Sequence, residues 1–328
     1  MGGNAGRRRE AALALTELGS GREFDLIRTF LAQARDREHP LVALGAGDDC
    51  AIIAGLAIST DMSVEDVHFR REWLQPAEIG YRAVVAALSD LAAIAAQPIA
   101  ALVSFALPLR DAGDWAVAVM QGATQALDQY DTVLAGGDVT RSRAGAAIDV
   151  VVTGRAERPV LRSTARPGDE VWVTGTLGGA AAAVAAWLAG STPSAALRER
   201  YTRPVARIRE AIWLRKFAAP GAMIDLSDGI GGDARHIAAA SGCRLILDAA
   251  ALPVHPEATR RHALHGGEDY ELCFCAAAGS IDTIRASFET DLGVRLTKVG
   301  EVVAGEGVQV LNALDEGGFD HFAPAGKP

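Results

Sequence analysis

Cysteine, aromatic side chains, positive charge and long apolar runs are all scarce in this sequence, and each scarcity excludes something. Among 328 residues there are four cysteines, and aromatics make up 5%. Cys50, Cys243, Cys273 and Cys275 show no C-x-x-C spacing, which argues against a zinc site or a redox pair. Cys273 and Cys275, two positions apart, are expected to point to one side of a strand as small core residues. No apolar run reaches the roughly 20 residues that cross a bilayer. The alanine-rich stretch 178–189 reads as a packed helix. Lys and Arg number 32 against 41 Asp and Glu, a net charge of −9. Such a surface repels nucleic-acid phosphates and anionic lipid, so neither a nucleic acid nor a membrane partner is expected. Arg7 to Arg9 precede a short apolar stretch, but Glu10 and Glu17 interrupt it and no cleavage site follows, so a cytoplasmic protein is expected.

The remainder is the composition of a globular protein, 49% hydrophobic and long enough for two cores. Residues 1–20 are expected to form a loose tail. A helix should follow, carrying Phe24, Ile27 and Leu31 behind Ser20 as a cap. The runs 50–54 and 56–59, joined by Gly55, read as adjacent strands or one interrupted strand, the second stopping at Thr60-Asp61, and a long helix is expected at 77–97 closed by Pro98. Further strands are expected at 99–107, 132–135 and 146–154, with a helix at 114–130. The aperiodic stretch 155–169, with Pro159, Pro167 and Gly168, marks the boundary between a first domain (21–155) and a second (156–328). The second half reads as strands at 170–173, 222–225, 245–248, 271–275 and 294–299. Its helices are expected from the Gly175–Gly179 turn to Leu188 and at 208–217, 232–240 and 281–288. The alternation is that of an α/β or α+β fold.

The acidic residues are placed where chemistry happens. Three apolar runs end in aspartate beside small residues: LAISTD (56–61), TVLAGGD (132–138) and AMIDLSD (222–228). Strand ends leave crevices in which ligands sit. Asp48-Asp49 adds a fourth position, in a glycine-flanked turn. Asp90 shares a helix face with Ala83, Ala86, Ala87, Ala93 and Ile94; buried there it needs a cationic partner, and the alternative is an exposed alanine face. Acidic positions converging without nearby Lys or Arg call for a counterion. Hard oxygen donors suit Mg²⁺ better than Zn²⁺, and Mg²⁺ held by few carboxylates completes its shell with water and substrate phosphates. A nucleotide is the natural ligand, although neither a Walker A segment nor a protein-kinase catalytic loop is present. The Gly175–Gly179 turn either binds an anion through its amides or is only a tight turn. Gly266-Gly267-Glu268-Asp269 opens a strand, and His68, in an acidic loop, either binds phosphate or is solvated.

In order along the chain, GAGDDCA (45–51), STDMSVEDVHF (59–69), LSDLAAIAAQP (88–98), LAGGDVT (134–140), VTGTLG (173–178), IDLSDG (224–229), GGEDYEL (266–272) and GFDHF (318–322) resemble the thiamine-monophosphate kinase family. This family lies within the superfamily that includes aminoimidazole ribonucleotide synthetase. The resemblance implies a two-domain aminoimidazole ribonucleotide synthetase-like fold, α/β (α+β) in class. Its N-terminal domain would form a homodimer, and a C-terminal α/β domain would complete the nucleotide and substrate site. It implies phosphorylation of thiamine phosphate to thiamine diphosphate with ATP as co-substrate and several Mg²⁺ ions. Carried over by motif, Asp49, Ser59, Thr60, Asp61, Asp90, Asp138, Asp225 and Asp228 would serve the metals. Gly137, Asp138, Arg162 and Ser227 would hold ATP, with the Arg162 guanidinium on phosphate oxygens. His68, Glu268 and Phe319 would contact thiamine phosphate, and no general base or nucleophile is implied. Asp66 departs from the family pattern, which has a small residue there, commonly glycine. The alternatives are another ATP-dependent synthetase of the superfamily and a non-catalytic nucleotide-binding protein.

Overall fold

The computed structural model describes residues 22–33 and 39–312. The 1–20 tail, Ser20 and Phe319 lie outside them. The first half runs α1 (Arg22–Gln33), β1 (Val42–Leu44), β2 (Ala51–Ile53), β3 (Leu56–Val64), α2 (Pro76–Ala93), β4 (Gln97–Leu107), α3 (Asp114–Gln129), β5 (Val133–Gly136), β6 (Val139–Arg141) and β7 (Ala147–Arg155). The second half begins with β8 (Asp169–Thr174), α4 (Gly179–Leu188), α5 (Ala195–Thr202), α6 (Ile208–Phe217), β9 (Ala222–Asp225) and α7 (Ile230–Ser241). It continues through β10 (Arg244–Asp248), α8 (Arg260–His265), β11 (Leu272–Ala277), α9 (Arg285–Leu292), β12 (Leu296–Val303) and β13 (Gly307–Leu311).

Each half builds its own sheet. The first has the order β1-β2-β3-β7-β4-β5, with β6 also beside β4; the second has the order β13-β10-β12-β8-β11-β9. Pairing is antiparallel except where β4 meets β5 and β6 and where β10 meets β13. The class therefore lies on the α+β side of the expected alternation. Helix α2 joins the halves. Fourteen of its eighteen residues are buried, because it packs on β3, β7 and α3 on one side and on α6 and β9 on the other. A Cβ added at Gly80 would lie 1.8 Å from the Val119 carbonyl oxygen, so α2 and α3 cross at backbone contact.

Several element limits differ from the sequence reading. Strand β3 does not stop at Thr60-Asp61 but runs on to Val64, because β7 supplies partners along its whole length, Asp61 lying opposite Val150. Helix α2 ends at Ala93 rather than 97. Ala95 adopts a left-handed φ of 56°, and the Ala96 N–H closes on the Leu91 carbonyl at 2.8 Å. Pro98 lies inside β4, opposite Gly154, and is not the helix stop. Helix α9 begins four residues later than expected, and β1, β6, α5, α8 and β13 were not anticipated: they are short, and β13 exists only through its pairing with β10. Among the described residues no helix is long and apolar enough to cross a membrane.

Candidate active site

Three carboxylates from distant parts of the chain meet beside α2. Asp49 comes from the turn before β2, Asp90 from the last turn of α2, and Asp225 from the end of β9; one oxygen of each lies within 4.8 Å of the others. The Ser59 hydroxyl donates to Asp90 at 2.5 Å, and the Ser89 hydroxyl donates to Asp225 at 2.6 Å. Burial first, then the neighbouring carboxylates, pushes Asp225 up to about 7 and Asp90 well above the usual carboxylate range. One cation is present, contrary to the expectation of none. Arg162 forks onto Asp49 through Nε at 3.0 Å and Nη2 at 2.5 Å. A separation of 113 residues hid this pairing. The guanidinium fork expected on phosphate oxygens thus rests on a carboxylate here. Asp90, expected to need a cationic partner, has a hydroxyl donor and acidic neighbours within the chain. One guanidinium facing three carboxylates leaves a deficit of positive charge among hard oxygen donors, and a divalent cation such as Mg²⁺ fits that donor set.

The cluster lines a cavity of about 790 Å³ that also receives Ser59, Asp61, Ser227, Asp228, His68 and Glu268. Asp48 follows a different course from Asp49. Its carboxylate accepts the backbone N–H groups of Asp49 and Arg162, each at 3.1 Å, and burial followed by repulsion from Asp49 raises it to about 6. Thr60 also borders the cavity, but strand alternation puts its side chain on the sheet face opposite Ser59 and Asp61, where its hydroxyl donates to Asp149 at 2.8 Å. Gly137 and Asp138 are not brought into the cavity of their own chain. They sit between the exposed strands β5 and β6. A Cβ at Gly137 would lie 1.8 Å from the Val103 carbonyl oxygen.

In the glycine turn at 175–179 the amides of Gly175, Leu177 and Gly178 already have partners inside the chain. The Gly178 N–H, at the start of α4, donates to the Asp269 carboxylate at 2.6 Å, so an internal carboxylate fills the anion's role there. Burial raises Asp269 to about 7. In the same motif a Cβ at Gly267 would lie 2.1 Å from the Ser227 carbonyl oxygen, because the two cavity loops touch there. Glu268 and Tyr270 both take left-handed backbone, with φ of 71° and 51°. Strain of this kind concentrates at working sites. Asp66 has φ 66°, which accounts physically for glycine at this place in the family pattern.

Sequence reasoning missed the groups that hold His68 and Glu268. Arg82 of α2, buried to 6% exposure, ion-pairs with Glu268 and donates to the Tyr201 carbonyl. A lone arginine in the apolar run GYRAVVAAL was the available signal. Asp233, Trp73, Tyr201 and Tyr270 also line the cavity without having been singled out.

Residues 47–156 match the family model for the AIR synthase related protein N-terminal domain, and residues 166–311 match that for the C-terminal domain. The thiamine-monophosphate kinase of Escherichia coli K12 is 38% identical, over 92% of this chain and 98% of the relative. That of Rhodopirellula baltica is 34% identical, over 91% and 96%. Among solved structures, thiamine-monophosphate kinase from Stenotrophomonas maltophilia superposes with a TM-score of 0.72 at 34% identity, covering 90% of this chain and 97% of that one. AaThiL complexed with AMPPCP and TMP superposes with a TM-score of 0.78 at 30% identity, covering 92% and 97%. Two matched domains in this order, and identity sustained over nine-tenths of both chains, mean that this chain belongs to the thiamine-monophosphate kinase family.

Proposed function

We propose that the protein transfers the γ-phosphoryl group of ATP to thiamine phosphate, forming thiamine diphosphate and ADP. The observation that carries this reading is the Asp49, Asp90 and Asp225 cluster, short of positive charge and set in the wall of a cavity of two-ligand size. The names of the E. coli and R. baltica relatives and the nucleotide analogue and TMP bound by AaThiL support the substrates. Asp49, Asp90 and Asp225 would hold Mg²⁺, with Ser59, Asp61 and Asp228 beside them. Bound there, Mg²⁺ would supply charge neutralisation for phosphate oxygens.

In the reaction an oxygen of the thiamine phosphate monoester attacks Pγ in line, the bond from Pγ to the bridging oxygen breaks, and ADP leaves with that oxygen. The attacking phosphate is already largely ionised at neutral pH, so no side chain has to take a proton. The chain's part is positioning. Ser227 and Arg162 would hold the nucleotide, and His68 and Glu268, with Phe319, the acceptor. Thr60 and Asp138 fit the same scheme through a homodimer of the first domain. Thr60, Val151 and Leu102 are in register on the outer sheet face, where Met62, Leu102 and Val133 are exposed. A second copy covering this face would bury them and bring Gly137 and Asp138 into the assembly.

The test is a chromatographic assay with ATP, Mg²⁺ and thiamine phosphate, with free thiamine as control acceptor. Equal amounts of thiamine diphosphate and ADP from thiamine phosphate, and little product from thiamine, are expected. ADP release without thiamine diphosphate, or release only with aminoimidazole precursors, would overturn the assignment in favour of a synthetase.

A further inference from the structure

The His68 end of the cavity is assembled across both halves of the molecule through one buried cation. Arg82, on α2 of the first half, ion-pairs with Glu268 and donates to the backbone carbonyl of Tyr201 on α5, both in the second half. Its guanidinium carbon lies 3.7 Å from the centroid of the Tyr201 ring. Tyr201 then turns back to the first half, where its hydroxyl donates to the His68 carbonyl oxygen at 2.9 Å. The ring also meets Trp187 edge-on at 5.3 Å, and Trp187 stacks on Trp73 at 5.2 Å with planes 7° apart. Trp73 belongs to the same loop as His68 and lines the cavity. Arg82 and Tyr201 therefore touch everything that defines this end: the Glu268 carboxylate, the His68 backbone and, through Trp187, the Trp73 ring.

Helices α2 and α5 are also tied at the α2 N-terminus, where Arg198 of α5 forks onto Glu78 at 2.7 Å through both nitrogens, but that pair lies outside the cavity lining. Glu268 stands on a left-handed backbone, and so does Asp66, two residues before His68. Backbone of that kind persists only where its surroundings hold it. The Tyr201 ring is almost wholly buried, and burial raises its hydroxyl to about 12, so the group donates and does not ionise at working pH. The chemistry of the walls fits an aromatic cation. The Trp73 indole and the Tyr201 and Tyr270 phenols line the cavity, and the Glu268 carboxylate stands beside them. The nucleotide end, around Arg162 and Asp225, shares none of the Arg82 contacts.

We infer that Arg82 and Tyr201 are positioning residues for the acceptor, fixing Glu268 and the His68–Trp73 loop around the aromatic cation without touching the nucleotide. The inference rests on the proposed thiamine phosphate reading. Losing the single Tyr201–His68 bond costs about 0.5–1.5 kcal/mol, a two- to tenfold effect. Losing the guanidinium loosens three contacts at once.

Two variants test it. Tyr201→Phe removes one hydrogen bond and keeps the ring. Arg82→Lys keeps the charge and loses the fork. Steady-state kinetics should show the KM for thiamine phosphate rising two- to tenfold in Tyr201→Phe and more in Arg82→Lys, with the KM for ATP within twofold of wild type. Calorimetry with thiamine phosphate alone, and with a non-hydrolysable ATP analogue alone, should reproduce that split. Equal rises for both ligands, or no rise for either, would overturn the inference while wild-type turnover left the kinase reading standing. Wild-type protein that binds the nucleotide analogue with Mg²⁺ but neither binds nor converts thiamine phosphate would overturn both.

Discussion

Two groups of buried carboxylates in this molecule are held in opposite electrostatic states. Glu271, wholly buried at the start of β11, accepts from Arg207 through Nε at 2.7 Å and Nη2 at 2.6 Å, from Arg200 at 3.2 Å, and from the Thr174 hydroxyl at 2.6 Å. Burial pushes its carboxyl up, but the two guanidiniums outweigh that and hold it below its ordinary range. Asp90 and Asp225 are also packed inside, yet their closest charged neighbours are other carboxylates and both are pushed up. The first group is complete within the chain. The second is short of positive charge within the chain, and on the proposed reading a cation from outside completes it, whereas the first is a buried ion network that supports the fold.

The largest effect that would sharpen this contrast is on turnover. Asp90→Asn and Asp225→Asn should each lower kcat by about a thousandfold, about 4 kcal/mol of transition-state stabilisation. Thermal unfolding without divalent metal should hold steady or rise, since each change removes a repelling charge. Steady-state kinetics and calorimetry in chelator measure both halves of that expectation; a large fall in stability with turnover retained would erase the distinction. Glu271→Gln should do the reverse. Leaving Arg200 and Arg207 without their carboxylate should destabilise the fold by about 3–5 kcal/mol, read by urea unfolding.

Asp269 stands between these extremes, with the Gly178 and Ala180 amides as partners and no guanidinium bonded to it. Its folded value near 7 lies above the unfolded value of 3.8. Between those values the folded state keeps a proton that the unfolded state has lost, so stability falls as pH rises from about 4 to about 7 and levels off above. The contribution is a few kcal/mol at most. Asp269→Asn should flatten that part of the stability profile measured by denaturant titration at several pH values. The smallest effect belongs to an exposed carboxylate. Asp66→Gly relieves a left-handed backbone and should change stability by about 1 kcal/mol or less, upward, measured as a small rise in melting temperature.

How much of this was legible beforehand depends on the distance over which each feature is decided. Helix α6 and strand β9 fall on the ranges read from periodicity, 208–217 and 222–225, because local spacing sets them. The motif aspartates at 49, 90, 225 and 228 could be picked out because each sits in small or apolar surroundings that give a carboxylate no local purpose. The partners could not. Arg162 reaches Asp49 across 113 residues and Arg82 reaches Glu268 across 186, and no local pattern encodes which arginine meets which acid. The Gly178 amide was open to any anion until the fold put Asp269 there.

The sequence by itself determined the composition of the site: many carboxylates, few cations, glycines where loops must touch, and a helix apolar enough to be buried all round. Those are properties of residue type and of spacings of a few positions, which local sterics and hydrophobicity dictate. Only the tertiary structure decided which carboxylates are neutralised and which are left short of charge, that Thr60 and Asp61 look to opposite faces of one strand, and that Arg82 meets both Glu268 and Tyr201, whose hydroxyl reaches the His68 loop. Charge balance in a buried site is set by groups brought together from far along the chain, and it exists only once the chain has closed on itself.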